Sequence, residues 1–416
     1  MTMISRLKIL LALTAFSSLC FGSSAVSVSC HQRWPWNGKV DIDYVLQSSA
    51  AEPMFNVIFY GKIGDGESIR LTNLNGDGSS GLVVGAGEKR VTWDASAQFP
   101  STSSDNFKVA LAVEEIVEDP EYMILNLDDW TFSYANSTNQ TTIAVGSDSK
   151  ISEMWFRKIE PGTFMMGCAT NEWDSSTAAN EPLHSVEISK KFYISIFETT
   201  EAQYDRIASD TQGVSCLPKT RMSYDALRGA AAGATWPSQT DHRVDSDSFL
   251  GVFRAKLGNA LVIDLPTEAQ WEMACRSKGD GTFIGAGCWN DGSPYALYNN
   301  KTKDDNLANL AWYSGNSGSA MHEVGLKKPN LVGLYDMHGN VWEWCVDWFA
   351  NSYGLSRQQL SQTTVDPVGG SSGSGRCRRA GSYSGNPTDM RISSRRAPMN
   401  GSTYADYGFR LVINMF

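Results

Sequence analysis

Residues 333–348 read GLYDMHGNVWEWCVDW, and no other stretch restricts the fold so strongly. From Val341 onward the side chains of Trp342, Trp344, Val346 and Trp348 alternate with Glu343, Cys345 and Asp347, so a strand here carries indoles on one face and acid on the other. Each buried indole removes about 150 to 250 Å² from water, worth on the order of 4 to 6 kcal/mol before entropy is counted. Three of them on one strand predict the centre of a large core. Just upstream, Asp336, the turn His338-Gly339-Asn340 and Glu343 gather side-chain and carbonyl oxygens, the donors a hard cation such as calcium takes. An ordinary Gly-Asn turn with solvated carboxylates would have the same sequence.

The 416-residue chain has room for two or three domains, and a 42% hydrophobic content with 13 Trp and 37 Gly describes a globular, loop-rich protein. A net charge of −10 without a basic cluster excludes general affinity for nucleic acid. At the start, Arg6 and Lys8 precede the apolar run 9–16 and small residues ending at Ala25, which predicts an export leader (1–25) cut after Ala25. The run is too short to span a bilayer, so no integral membrane segment is expected once the leader is removed. The expected location is periplasmic, cell-surface or extracellular. Cys20 follows Leu19 rather than a small residue, so no lipid anchor is expected there. The mature chain would keep seven cysteines, Cys30, Cys168, Cys216, Cys275, Cys288, Cys345 and Cys377, with no C-x-x-C pair.

Residues 28–145 alternate repeatedly, as in Val40-Ile42-Tyr44-Leu46 and Val109-Leu111-Val113, and predict an antiparallel β-sandwich of immunoglobulin-like kind. Within it, residues 73–78 look like the start of an EF-hand loop, but Val84 stands where the bidentate acid belongs, and a hairpin turn is expected instead. A Ser/Thr/Asn-rich run, 133–152, predicts a linker. Asn136, Asn139, Asn300 and Asn400 lie in N-x-[ST] sequons. The second domain is expected over 153–416, with helices opening at Thr200-Glu201 and at Pro266-Thr267-Glu268.

Seven segments of that domain, in order, resemble the motifs of the formylglycine-generating enzyme, or sulfatase-modifying factor, family. They are PGTFMMG (161–167), NEP-H (180–184), FYISIFETTEAQY (192–204), LPTEAQWEMACR (265–276), GLYDMHGNVWEW (333–344), AGSY (380–383) and GFRLV (408–412). The resemblance implies an α+β, C-type-lectin-like domain with little regular structure and loops braced by cations. It implies calcium on Asp336 and Glu343 with the carbonyls of Gly339 and Val341, and a second site on Asn309 and the Leu310 carbonyl. It also places strand WEW beside the strand before GSY, which makes Cys345 and Cys377 candidates for one disulfide. Cys275 and Cys288 could close a short loop, and buried free thiols are the alternative for both pairs.

Enzymes of the resembled family hold copper(I) with two cysteines shortly after the GGS[WY] motif and oxidise a cysteine of a sulfatase. The corresponding positions here are Gly385 and Met390, and one thioether does not replace two thiolates, so copper is not expected. Another branch holds iron through histidines of a helical bundle. His31, His184, His242, His322 and His338 are scattered, and iron is not expected either. What the segment 376–410 does offer is Arg378, Arg379, Arg391, Arg395 and Arg396 beside Tyr383, Tyr404 and Tyr407, residue types that anchor interfaces. A ligand groove is expected at Ser382, Tyr383, Arg391 and Asp406, taking a protein or glycan partner. The other reading is an enzyme of altered chemistry or a role in sulfatase maturation, with a sulfatase as partner.

Overall fold

The computed structural model describes residues 27–415 except 34–36, 49–53, 64–68, 78–81, 99–106, 117–119, 136–147, 169–179, 231–242, 258–260, 287, 294–305, 371, 374 and 398–400. The expected leader, most of the expected linker, the four sequon asparagines and His242 lie outside the described residues. The chain forms two compact units, the first built mainly on residues up to Asp119 and the second on Pro120–Asp128, Ser133–Phe253 and Val262–Phe416.

The strands of the first unit are β1 (Ser27–Gln32), β2 (Lys39–Leu46), β3 (Met54–Ile63), β4 (Ile69–Arg70), β5 (Leu74–Gly76), β6 (Leu82–Val84), β7 (Gly87–Asp94) and β8 (Phe107–Ile116). One antiparallel sheet runs β1-β2-β7-β5; in the other, β3 pairs with β4, β6 and β8. The alternation read from the sequence is the cause. Val40, Ile42, Tyr44 and Leu46 of one sheet and Phe55, Val57 and Phe59 of the other are buried in a common core. The Tyr44 hydroxyl donates to the Asp77 carbonyl at 2.8 Å, so its burial leaves no orphan. Asp77 is a turn residue whose carboxylate accepts from the Arg90 N–H.

The second unit adds β9 (Tyr122–Asn126), β10 (Phe132–Ala135), β11 (Glu153–Ile159), β12 (Gly162–Met166), β13 (His184–Ile188), β14 (Phe192–Ser195), β15 (Val262–Asp264), β16 (Trp342–Trp348), β17 (Thr364–Val365), β18 (Arg376–Arg379), β19 (Tyr407–Gly408) and β20 (Val412–Asn414). They form sheets of order β10-β9-β11-β14-β20-β15, β12-β13-β17 and β18-β16-β19. Residues 122–126, read from the sequence as sandwich, pair instead with β11, since their alternation serves either partner and only the antiparallel register Trp155↔Ile124 decides. Asp148–Ile151, inside the expected linker, is one turn of helix.

Side-chain caps open three helices of this unit. In α1 (Glu201–Ala208) Thr200 and Gln203 form a capping box, and α2 (Tyr224–Arg228) is capped by Ser223. In α3 (Glu268–Arg276) Thr267 and Gln270 repeat the box, and every residue is buried, which makes this helix the spine of the domain. A last turn, α4 (Leu307–Leu310), lies in an apolar cluster with Trp289, Tyr313 and Met390. On β16, Trp342 and Trp344 are buried and Trp348 half-buried, as the alternation required.

Candidate functional site

The acid face of β16 is fully buried and therefore must be partnered. Glu343 receives Arg410 in a fork, Nε to Oε2 at 2.6 Å and Nη2 to Oε1 at 2.7 Å, and Trp271 Nε1–H donates to the same Oε2 at 2.6 Å. Both oxygens of the expected calcium ligand are thus held by protein donors. Asp336 is different. Its Oδ2 accepts the Gly325 N–H at 2.6 Å, while its buried Oδ1 has no hydrogen-bond partner. Burial lifts its pKa to about 6, and the Glu343 charge adds to the effect.

A third carboxylate, Glu198, was not picked out from the sequence. It is completely buried, accepts the Val341 N–H at 3.1 Å and the Asn340 side-chain amide at 2.6 Å, and so holds the turn from behind. Burial, with Asp336 and Glu343 nearby, pushes its pKa well up. The signal was an acid closing the apolar run FYISIFE, which is unstable unless paired. Of these three carboxylates only Glu343 bonds the Arg410 guanidinium; Glu198 and Asp336 feel its charge without touching it, and Lys150 also acts on Asp336. The orphan Oδ1 of Asp336 is an oxygen donor of the kind a hard cation takes. No three His, Cys, Asp or Glu converge on a metal position among the described residues. Gly339 is required by the turn itself: its φ is +76°, and a Cβ there would lie 2.1 Å from the Trp312 carbonyl oxygen.

At the second expected site the Asn309 side chain is exposed and its carbonyl accepts the Lys328 N–H at 3.0 Å. The Lys327 ammonium sits over the Trp312 ring and donates to the Ala308 carbonyl at 2.6 Å. A cation of the protein's own therefore lies beside the turn that carries Asn309 and Leu310.

Gly385 and Met390, paired by the family resemblance, meet in space. A Cβ on Gly385 would lie 2.9 Å from Met390 Cε, and one on Gly381 only 2.3 Å from it. Met390 is fully buried with Trp289, Leu307, Leu310 and Ala311. His338, beneath it, donates from Nδ1 to the Met390 carbonyl at 2.6 Å and accepts the Asn290 N–H on Nε2 at 3.3 Å. Burial lowers its pKa to about 4, so it is a neutral structural imidazole. His184 and His322 likewise use a ring nitrogen on a backbone carbonyl, of Pro182 and Ser317.

The expected groove divides. Asp406, half-buried, accepts the hydroxyls of Ser382 at 2.8 Å and Ser384 at 3.1 Å, and Tyr383 is half-buried beside them. Ser382 itself is buried. Arg391 corrects the expectation outright: it is buried and bound to Glu181 at 2.9 Å, with further bonds to the Thr388 carbonyl and Ser393. Arg379 and Arg395 are also buried, sharing Glu268, and Arg379 reaches Glu272 as well. Most of the arginine cluster is therefore internal scaffolding, paired with acids from NEP and the helix α3. Arg378 and Arg396 remain near the surface.

Residues 146–415 match the family model described as the Sulfatase-modifying factor enzyme 1-like domain, FGE-sulfatase. The chain belongs to that family. A formylglycine-generating enzyme of Thermomonospora curvata is 32% identical over 150 residues, 35% of this chain and 48% of the relative. The mouse formylglycine-generating enzyme is 25% identical over 286 residues, covering 61% and 73%. The serine/threonine-protein kinase pkn1 of Chlamydia pneumoniae is 26% identical over 269 residues, 62% of this chain but 37% of the kinase. Among solved structures, Treponema denticola variable protein 1 aligns with a TM-score of 0.44 and 24% identity over 63% of this chain and 95% of that one. The chain thus spans less than half the length of the bacterial enzyme and of the kinase it matches. The FGE-sulfatase domain here comprises the second unit's central sheets, the buried acid–arginine network and the Gly385–Met390 contact.

Proposed function

We propose that this FGE-sulfatase domain is a non-oxidative binding module of an exported protein, recognising a protein or glycan through the surface around Tyr383, Ser384 and Asp406. The observation that carries this reading is the Gly385–Met390 contact. Family resemblance puts the copper thiolates at these two positions, and in this chain a buried methionine packs its methyl against two glycines there. A thioether is uncharged and supplies one sulfur, so the soft two-thiolate site that copper(I) chemistry needs has no donors at those positions. The surrounding frame is intact, because AGSY and GFR still supply Ser382 to Asp406 and Arg410 to Glu343.

The test incubates the full protein with copper(I), oxygen and a cysteine-containing sulfatase-motif peptide, and follows peptide mass. No conversion of thiol to formylglycine above a protein-free control is expected. Conversion would overturn the reading in favour of sulfatase maturation. Calcium at Asp336 is the companion proposal, with a structural role in holding the turn that ends in β16.

A further inference from the structure

On the indole face of β16, the neighbouring strand β18 contributes Arg376 and Arg378, because Trp344 pairs with Arg378 in the antiparallel register. The two arginines differ in what they find there. Arg376 is buried, lies 3.8 Å over the Trp348 ring and donates to the Val346 carbonyl at 2.8 Å. Arg378 is half-buried, stacked 4.1 Å from the Tyr407 ring centre and 4.4 Å from that of Trp342. Its Nε is buried without a partner, as are those of Arg376 and Arg379, but unlike theirs its terminal nitrogens meet no protein acceptor among the described residues. A guanidinium presents five donors in a plane, and two stacked aromatic rings fix that plane while satisfying none of them. Burial pulls its pKa down, against the opposing influence of Tyr407 and Asp406.

The rim of this position is furnished for more than an anion. The turn from Tyr404 to Tyr407, closed by the Tyr407 N–H to Tyr404 carbonyl bond, holds Tyr404 59% exposed with its ring centre 4.8 Å from that of Tyr407. The same turn carries Asp406, whose carboxylate gathers the Ser382 and Ser384 hydroxyls. Arg396, half-exposed, stands alongside on Asp389 at 2.6 Å, and its backbone pairs with that of Arg378. An exposed flat ring, an acceptor for hydroxyls and an unsatisfied guanidinium therefore adjoin one another.

We propose that Arg378 is the anion-binding subsite of an acidic glycan, receiving a uronate carboxylate or a sulfate ester while Tyr404 stacks on the sugar ring and Asp406 accepts its hydroxyls. This rests on the reading of the domain as a binding module. The neighbouring Asp406 selects the class. An acidic peptide brings anions without hydroxyls, whereas a uronate or sulfated sugar places hydroxyl donors for Asp406 next to the anionic group that Arg378 takes. The planar fork of Arg378 matches either carboxylate or sulfate oxygens in two parallel bonds.

Binding of the full chain to polygalacturonate, dextran sulfate, neutral dextran and poly-glutamate is the direct measurement. One or both acidic polysaccharides should bind, the pair distinguishing uronate from sulfate, and dextran should bind roughly tenfold more weakly, the value of one charge-assisted contact. Arg378→Gln keeps part of the stacked stem and should cost the acidic polysaccharide roughly tenfold or more while dextran binding stays unchanged. Tyr404→Ala alters an exposed ring, leaves folding intact, and should weaken both acidic and neutral binding. Equal affinity for dextran and the acidic polymers, insensitive to Arg378→Gln, would overturn the subsite and leave the binding module standing. Tighter binding of poly-glutamate would replace the glycan with a peptide. Binding of neither acidic polysaccharide would also overturn the assignment, and formylglycine formed by the same preparation would remove the underlying reading with it.

Discussion

Single side chains in this protein do different work from what their types suggest. Arg391 looks like a ligand-binding arginine, yet it neutralises the buried Glu181. Arg391→Ala should therefore lower unfolding stability by about 3 to 5 kcal/mol in chemical denaturation, the cost of stranding a buried carboxylate. A variant that unfolds at the wild-type denaturant midpoint would show the pair to be dispensable. Asp336 gives a pH signature. Its pKa rises from 3.8 unfolded to about 6 folded, and burial raises that of Asp347 to about 7, with Glu268 adding to it. Each binds its proton more tightly in the folded state, so stability present in acid is lost as pH climbs from about 4 to about 7, by on the order of 2 to 4 kcal/mol for Asp336. Calcium added at neutral pH should recover much of that loss, and Asp336→Asn should flatten its share of the pH slope and abolish the calcium response. A melting temperature indifferent to both calcium and chelator would count against the cation.

At the level of elements, α3 and β16 carry the domain, and both were readable. Thr267 and the early Pro266 announce the helix, and Thr267→Ala should cost about 1 kcal/mol of stability through loss of the capping box that the structure shows with Gln270. The indole alternation announces β16, but its pairing was not in the pattern. The register Glu343↔Arg379 and Trp344↔Arg378 brings Cys345 opposite Cys377, both fully buried and both thiols in the structure. Cross-strand positions of this kind lie close enough for a disulfide with little backbone movement. Peptide mapping of unreduced exported protein is expected to find Cys345 joined to Cys377. Alkylation of both in denaturant without reductant would instead identify a reduced, buried pair.

Across the whole molecule, the boundary between units is the feature the sequence placed least well. Strand β9 supplies the buried Tyr122, Met123 and Leu125 to the sheet of β11, although it lies in the span that alternates like the sandwich. A fragment beginning at residue 120 should melt well above one beginning at 153, which lacks β9 and bares the edge of β11; equal melting would mean the pairing adds nothing. No helix among the described residues is long and apolar enough to cross a membrane. The sequence by itself determined the elements whose cause is local: the period-two strands, the helix starts at Thr200 and Thr267 and the glycine turn at Gly339, while the missing thiolate pair followed from the family resemblance. Only the tertiary structure decided which arginine belongs to which acid. A guanidinium and its partner are often more than 100 residues apart, as with Arg391 and Glu181, and charge alone makes every such pairing look alike. Burial settled it: Arg379, Arg391, Arg395 and Arg410 are consumed by carboxylates the core cannot leave bare, whereas Arg378, stacked at the rim, has no carboxylate bound to it among the described residues.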